Sequence, residues 1–334
     1  MLRIIGRRLV FLILVVFGVT LITFTVSHVL PGDPARMLAG PRAEPQLVAR
    51  IRAELGLDKP LLVQYADYVR RVAHGDFGTS VVTGRPIAAE LAARIPATLE
   101  LMLGALMTAV FFGIALGVLA AVNKDTWVDQ AVRGVSVLGI SMPTFWLGLL
   151  LILLFYGKLS LLPGSGRITG LAPPAVTGLY LIDSILARDP RTFLDALSHL
   201  VLPAATLAIV EIGGIARLIR SSMIDVLRED YVITARASGL KERVVILNVA
   251  LRNALIPFIT VFGLSLASIL YGAVVTETVF AWPGTGKYVV DSIFNLDFPV
   301  VMAFALMVSI VYVLANLAVD LAYIVLDPQI REVG

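Results

Sequence analysis

The residues that could do chemistry are few. Cysteine is absent, and the only imidazoles are His28, His74 and His199. Without thiols the chain has no disulfides, no thiolate metal sites, no Fe–S ligands and no Cys nucleophile. No two histidines stand at the spacing of a helical zinc motif, so no metal site is expected. The nearest approach to a phosphate cradle is Gly284-Thr-Gly-Lys287. A nucleotide loop needs an earlier Gly, where Ala281 stands, and a Ser or Thr after the Lys, where Tyr288 stands. The string therefore reads as a turn after Pro283, and the chain is expected to bind no ATP of its own. Ser265 and Ser268 lie in an apolar run without His or Lys, so a hydroxyl nucleophile lacks its base. Hydrogen bonding between helices is the simpler role for them.

Charge inside apolar sequence is the sharper signal, because a carboxylate in hydrocarbon is costly and marks a path or a pair. Glu211 is the clearest case. One reading has it lining a water-filled passage and meeting a cationic group of a solute. The other has it solvated or paired with Arg217, six residues on and roughly 9 Å along a helix. Asn316 and Asp320, four apart, share a helical face and read as an interhelical pair. Glu277, at the end of its apolar run, reads as interfacial.

The segment 217–252 is of another kind. Met223, Leu227, Tyr231 and Ala235 recur every four residues with charges between them, and Gly239 reads as a helix C-cap. Such a helix either packs on the chain's own helix ends, touches anionic lipid, or docks a soluble partner. Ala235, Ala237 and Gly239 are small enough to admit close approach. Composition leaves these readings open.

The elements that must position these residues follow from composition. The 334 residues are 58% hydrophobic and only 15% charged, with mean hydropathy +0.90. A soluble domain carries about 25% charged residues, so a soluble enzyme is excluded. Uncharged runs at 9–27, 101–123, 134–157, 253–276 and 298–319, with a weaker one near 197–216, each approach the ~20 residues that span a bilayer. The expectation is an all-α polytopic membrane protein of six transmembrane helices. The run after Arg3, Arg7 and Arg8 lacks a small-residue cleavage site and reads as a retained helix. The net charge of +3 reflects orientation, and no nucleic-acid partner is expected.

Orientation follows from counting Lys and Arg in the shorter segments. Segments 1–8, 124–133, 217–252 and 327–334 hold 13 in 62 positions, whereas 158–198 and 281–299 hold 5 in 60. Both termini are expected in the cytoplasm. The chain divides into an N-terminal transmembrane helix (1–31), an extracytoplasmic helical loop region (32–96), a five-helix core (97–326) and a cytoplasmic tail (327–334). The core includes the outer loop 158–198 and the cytoplasmic loop 217–252. In the first loop, Leu47, Ile51 and Leu55 share a face of a helix closing at Gly56, and a second helix is predicted over Leu61–Ala73.

Glu229-Asp-Tyr-Val-Ile-Thr-Ala-Arg-Ala-Ser-Gly-Leu240, followed by Ala250-Leu-Arg-Asn-Ala-Leu-Ile-Pro257, resembles the cytoplasmic loop of permease subunits of bacterial ATP-binding-cassette importers. The branch it is most similar to carries dipeptides, oligopeptides or nickel. Strings resembling that branch run from end to end: Leu30-Pro-Gly-Asp-Pro34, Gln64-Tyr65, Gly75-Asp-Phe-Gly78, Ala97-Thr-Leu-Glu100, Ser141-Met-Pro-Thr-Phe145 and Thr276-Glu-Thr-Val-Phe-Ala-Trp-Pro-Gly284. The wider superfamily has a Glu-Ala-Ala, Gly and Leu-Pro pattern in this loop. Here Ala235 and Gly239 fit it, while Ile233, Thr234 and Arg252 depart from it, as in a branch-specific variant. The resemblance implies a type I importer permease fold in the bacterial inner membrane. It also implies alternating access driven by ATP and Mg on partner subunits, with no cofactor on this chain. Tyr231, Thr234, Ala235, Arg236, Ala237 and Gly239 would form the coupling helix seated on an ATPase. Implied partners are a second homologous permease, one or two ATPase subunits, a solute-binding protein and membrane lipid. Pro31, Gly32, Asp33 and Pro34 are the candidate dock for the binding protein, and Glu211 the candidate for the translocation path. The solute implied is a di- or oligopeptide, with nickel, glutathione or another small solute as the alternative. A stand-alone channel or secondary transporter is the reading from another class.

Overall fold

The computed structural model describes residues 2–29, 43–54 and 56–326. The elements are α1 (Leu2–Val29), α2 (Pro45–Glu54), α3 (Leu61–Ala73), α4 (Ile87–Val122), α5 (Trp127–Ser141) and α6 (Thr144–Leu151), the last running on as a π-helical turn, Ile152–Lys158. Then come α7 (Tyr180–Leu186), α8 (Pro190–Val226), α9 (Asp230–Ala237) and α10 (Glu242–Val244). A second π-helical turn, Val245–Ala250, leads to α11 (Leu251–Ala254), α12 (Ile256–Val279), α13 (Thr285–Phe294) and α14 (Phe298–Leu326). The described residues contain no strand beyond an isolated bridge between Thr79 and Pro86. The all-helical expectation is met, and α3 has the expected ends.

Among the described residues, α4, α8 and the stretch Phe298–Leu317 of α14 are long and apolar enough to cross a membrane, and α5 with α6 makes a fourth if that bent pair is one span. The run 134–157, expected as one span, is broken by 108° at Met142-Pro143. The cause is local. Pro143 has no N–H to donate and pushes Met142 out of the helical region, to φ −86° and ψ 130°.

The chain forms two compact units: residues 1–94 with 288–317, and residues 95–287 with 318–334. In the first, Ile87, Leu91, Tyr288, Val300 and Ala303 make the core. Asp297, 1% exposed, pins the turn that precedes α4 by accepting from Ser80 Oγ at 2.5 Å and Val81 N at 3.2 Å. The first-loop helix α3 lies along α1: the hydroxyls of Tyr65 and Tyr68 meet Thr20 and Thr23 at 3.0 and 3.2 Å.

In the second unit α8 is the axis. It starts at Asp189-Pro190, where the Asp189 carboxylate accepts from Arg191 N and Thr192 N and Pro190 occupies the first turn. Small residues let its neighbours approach closely. A Cβ on Gly139 of α5 would meet Ile209 O at 2.9 Å, and one on Gly213 would meet Ser136 O at 2.5 Å. With Asp129 bonded to Arg220, these contacts run α5 antiparallel to α8. A Cβ on Gly113 or Gly117 of α4 would press on Ile215 or Ile219 at 2.7 Å, which sets α4 parallel to α8. Gly272 of α12 makes a similar approach to Leu207. These crossings enclose cores around Leu101, Leu207, Ile269 and Trp282, and around Ile215, Ile219, Met223 and Val245.

Candidate functional site

Beyond the last turn of α8 the chain reverses through Leu227, Arg228 and Glu229, whose amides bond back to Met223, Asp225 and Val226. It then enters α9. The residue α9 buries is Val232, 0% exposed, in the cluster that holds Ile219, Met223, Val245 and Ala250. The four-residue recurrence of the sequence is thus divided between two helices. Met223 belongs to the buried face of α8, Leu227 is its C-cap, and Tyr231 is 42% exposed. Glu229 is the reason: its extended backbone, φ −69° and ψ 145°, makes it the N-cap of a new helix.

The other expected residues sit on this short helix and its cap. Thr234, Arg236, Ala237 and Gly239 are exposed and Ala235 is half-buried. Gly239 has φ +80°, with its amide bonded to Arg236 O at 3.0 Å and that of Leu240 to Ala235 O at 3.4 Å. That double bond pattern closes a helix in a Schellman motif and needs a left-handed residue, for which Gly has no steric cost. A Cβ there would meet open space. Arg236 binds Glu242 through Nη2 at 2.7 Å, which raises the guanidinium and lowers the carboxyl. Asn253 Nδ2 donates to the Tyr231 hydroxyl at 2.8 Å and ties α9 to α11. Val232 and Asn253 were not singled out in the sequence, although each lies inside one of the two stretches that resemble the cytoplasmic loop of importer permeases.

A second cluster joins three of the quoted strings. Glu277, expected at an interface, is 0% exposed. Its carboxylate accepts from Thr98 Oγ1 at 2.6 Å, Lys287 N at 2.9 Å and the Gly286 amide. Thr98 Oγ1 in turn accepts from Thr285 N at 2.9 Å. Gly284 is obligatory because a Cβ there would fall on the Glu277 carboxylate, and one on Gly286 would lie 2.6 Å from Val274 Cα. Gly284-Thr-Gly-Lys287 is therefore an anion cradle whose anion is the chain's own. It works as cradles do, with amides at the start of α13 facing negative charge. The sequence signal was Gly-x-Gly; what it lacked was the carboxylate nearby in space.

The same brace holds the loop before α8. Trp282 Nε1 donates to Ala97 O at 2.8 Å. Glu100, 6% exposed, accepts from Arg167 Nη2 at 2.6 Å and Leu181 N at 2.8 Å. The Arg167 guanidinium lies 3.7 Å over the Tyr180 ring. Asp183 is 1% exposed and gathers the amides of Val176, Thr177 and Gly178. Burial pushes its carboxyl up, but the hydrogen bonds from Thr177, Val176 and Gly178 outweigh it and leave it lowered.

Glu211 is half-buried on α8, and among the described residues no side-chain hydrogen bond or ion pair engages it, Arg217 included. Asn316 donates to Tyr312 O at 3.0 Å. The Asp320 side chain, Pro31, Gly32, Asp33, Pro34 and the tail 327–334 lie outside the described residues. Among the described residues no group of three or more His, Asp or Glu could hold a metal ion.

Apolar helices of spanning length, packed through glycines and ending in a short helix with polar residues outward, define a polytopic membrane permease component. Residues 113–332 match the family of binding-protein-dependent transport system inner membrane components, and residues 1–102 match the N-terminal region of such membrane components. The chain belongs to that family. It is 57% identical over 325 residues to the probable D,D-dipeptide transport system permease protein DdpB of Escherichia coli, covering 97% of this chain and 96% of that one. It is 47% identical to the di/tripeptide transport system permease protein DppB of Pseudomonas aeruginosa, 99% of each chain being covered. With the dipeptide transport system permease protein DppB of Escherichia coli the identity is 43%, again over 99% of both. The chain is accordingly a multi-pass inner-membrane transport component and not an enzyme.

Proposed function

We propose that this chain is one permease half of an importer of di- and oligopeptides, opening alternately to the two sides of the membrane as partner subunits hydrolyse ATP. Six spans with both termini cytoplasmic make up the permease of a type I importer. Three observations support that threading: the charge count, the antiparallel run of α5 against α8 and the parallel run of α4. The observation that carries the function is α9, a helix whose one fully buried residue is Val232, closed by Gly239, and leaving Tyr231, Thr234, Arg236 and Ala237 facing out. That face, with Ala235 and Gly239, is the coupling helix that seats in an ATPase subunit. The relatives named above are dipeptide and tripeptide permeases, and this supports a peptide solute.

A second, homologous permease completes the pathway, one or two ATPase subunits supply ATP and Mg, and an extracytoplasmic binding protein delivers the solute. Lipid surrounds the helices. The domain division is a retained first helix (1–31), an outer helical cap (32–96), a five-helix core (97–326) and a short tail. The cap and Pro31-Gly-Asp-Pro34 form the binding-protein dock. Glu211, without a side-chain partner among the described residues, faces the path and meets the solute's free amino group. The test is a mild-detergent pull-down of the tagged chain beside Gly239→Arg. Co-purification of a second permease and ATPases, with the ATPases lost from the variant, is the expected result; a chain that purifies alone without ATP hydrolysis overturns it.

A further inference from the structure

At the start of α5, Asp129 is 0% exposed and takes both branches of the Arg220 guanidinium, Nε at 2.5 Å on Oδ1 and Nη2 at 2.6 Å on Oδ2. The Asp125 amide donates to it at 3.1 Å from a residue in the left-handed region, φ 64°. Arg133 stands 3.5 Å away as an outer cation. A buried bidentate pair of this kind is expensive to form and strongly resists being half broken. Its position gives it a use. Arg220 follows Ile219 and precedes Met223, both in the buried cluster that also holds Val232 of α9. The pair therefore ties the helix end that carries α9 to the foot of α5. Above it, Ser136 against Gly213 and Gly139 against Ile209 keep α5 and α8 in register up to the 108° elbow at Met142-Pro143.

We propose that Asp129 and Arg220 are positioning residues of the transport cycle: they make α9, the end of α8 and all of α5 one lever, so that displacement of α9 reaches the α5–α6 elbow. The proposal rests on the importer function above. Without the pair, α9 still docks, since its anchor and its outward face are untouched. Its movement is then taken up by α8 alone, and ATP is hydrolysed without the elbow opening.

The experiment uses the whole complex in proteoliposomes with its binding protein and labelled alanyl-alanine in L,L and D,D forms, comparing wild type, Asp129→Asn, Arg220→Lys and the double variant Asp129→Glu/Arg220→Lys. Less complex is expected from the single variants, since each leaves half of a buried pair, but basal ATP hydrolysis per recovered complex is expected to stay at the wild-type level. Peptide moved per ATP is expected to fall about tenfold, within the usual range of coupling between sites. The double variant, which restores an ion pair of similar reach, is expected to recover much of the loss. A fall in assembled complex with peptide per ATP unchanged in what remains would mean the pair only holds the fold, and overturns the lever. Unchanged transport in Asp129→Asn overturns it as well. Wild-type complex that hydrolyses no ATP would refute the importer reading instead.

Discussion

Glu277 offers the most demanding test of the structure, because a carboxylate read as interfacial is buried and held by the donors of a closed cradle. In Glu277→Ala the Thr98 hydroxyl can turn to Thr285 Oγ1, 3.0 Å away, but the amides of Gly286 and Lys287 lose the carboxylate they donate to. Each orphaned buried donor costs about 1–3 kcal/mol, and relief of the carboxylate's own burial offsets part of this. A net loss of about 3 kcal/mol is expected, which lowers the melting midpoint by roughly 6–12 °C for a unit of this size. Glu277→Gln keeps the volume yet turns an NH2 toward a donor, and should lose about half as much. Trp282 is a built-in reporter: it is 0% exposed inside the brace, whereas Trp127 and Trp146 are 78% and 44% exposed. With those two replaced by Phe, fluorescence of the detergent-held chain follows the brace alone. Thr98→Val and Glu277→Gln together should cost about 1 kcal/mol less than the sum of the two, since they share one bond. Strict additivity, or a Glu277→Ala chain that melts with wild type, would refute the cradle.

Four other outcomes follow from the same contacts. Val232→Ala removes the one buried anchor of α9 and should cost about 2 kcal/mol, read as faster proteolysis within 228–240 and weaker recovery of ATPase subunits. Glu211→Gln should lower uptake of peptides with a free amino group and leave N-acetylated ones unchanged; equal uptake of both by both proteins would remove Glu211 from the path. Deleting residues 44–74 should weaken capture of the binding protein, measured by affinity on immobilised complex, and an unchanged affinity would locate the dock elsewhere. Asp129 is held down to about 2 from 3.8 by the Arg220 hydrogen bond. A carboxyl lowered on folding stabilises above its unfolded pKa, so this contribution is full above about pH 4. It should be lost as pH falls through the folded value, and Asp129→Asn should show a shallower acid limb in a melting series.

How much of this was legible in the sequence depends on the distance over which a feature is encoded. Elements written by local rules were readable, as in the helix over Leu61–Ala73 and the cap at Gly239, whereas the start of α8 at Pro190 falls inside the segment 158–198 expected as an outer loop. The elbow at Met142-Pro143 was equally local, but the surrounding run is apolar on both sides of it, and hydropathy averaged over 20 residues hides one missing amide. The stripe from Met223 to Ala235 misled for a related reason. A four-residue recurrence persists across a turn of matching length, and only the extended backbone at Glu229 shows that Met223 and Val232, buried in one cluster, belong to separate helices.

The features not legible at all are those whose partners lie far apart in the chain. Thr98 and Glu277 are separated by 179 positions and Asp129 and Arg220 by 91, and nothing in either stretch names the other. Each half alone looks like an error in an apolar protein: an unexplained carboxylate at the end of a span, a lone Asp after a Trp. In a medium without water such a group persists only where the fold supplies its partner, so an isolated charge beside an apolar run is a request for a contact whose address is missing. Gly-Thr-Gly-Lys shows how to read it. The string has the donors of an anion site but not the residues that discriminate a nucleotide, and the chain's own buried carboxylates were the anions to try first. The same reasoning applied to Glu211 gives a different result: the described residues supply it no partner, and this is why we propose the solute's amino group as the cation it meets.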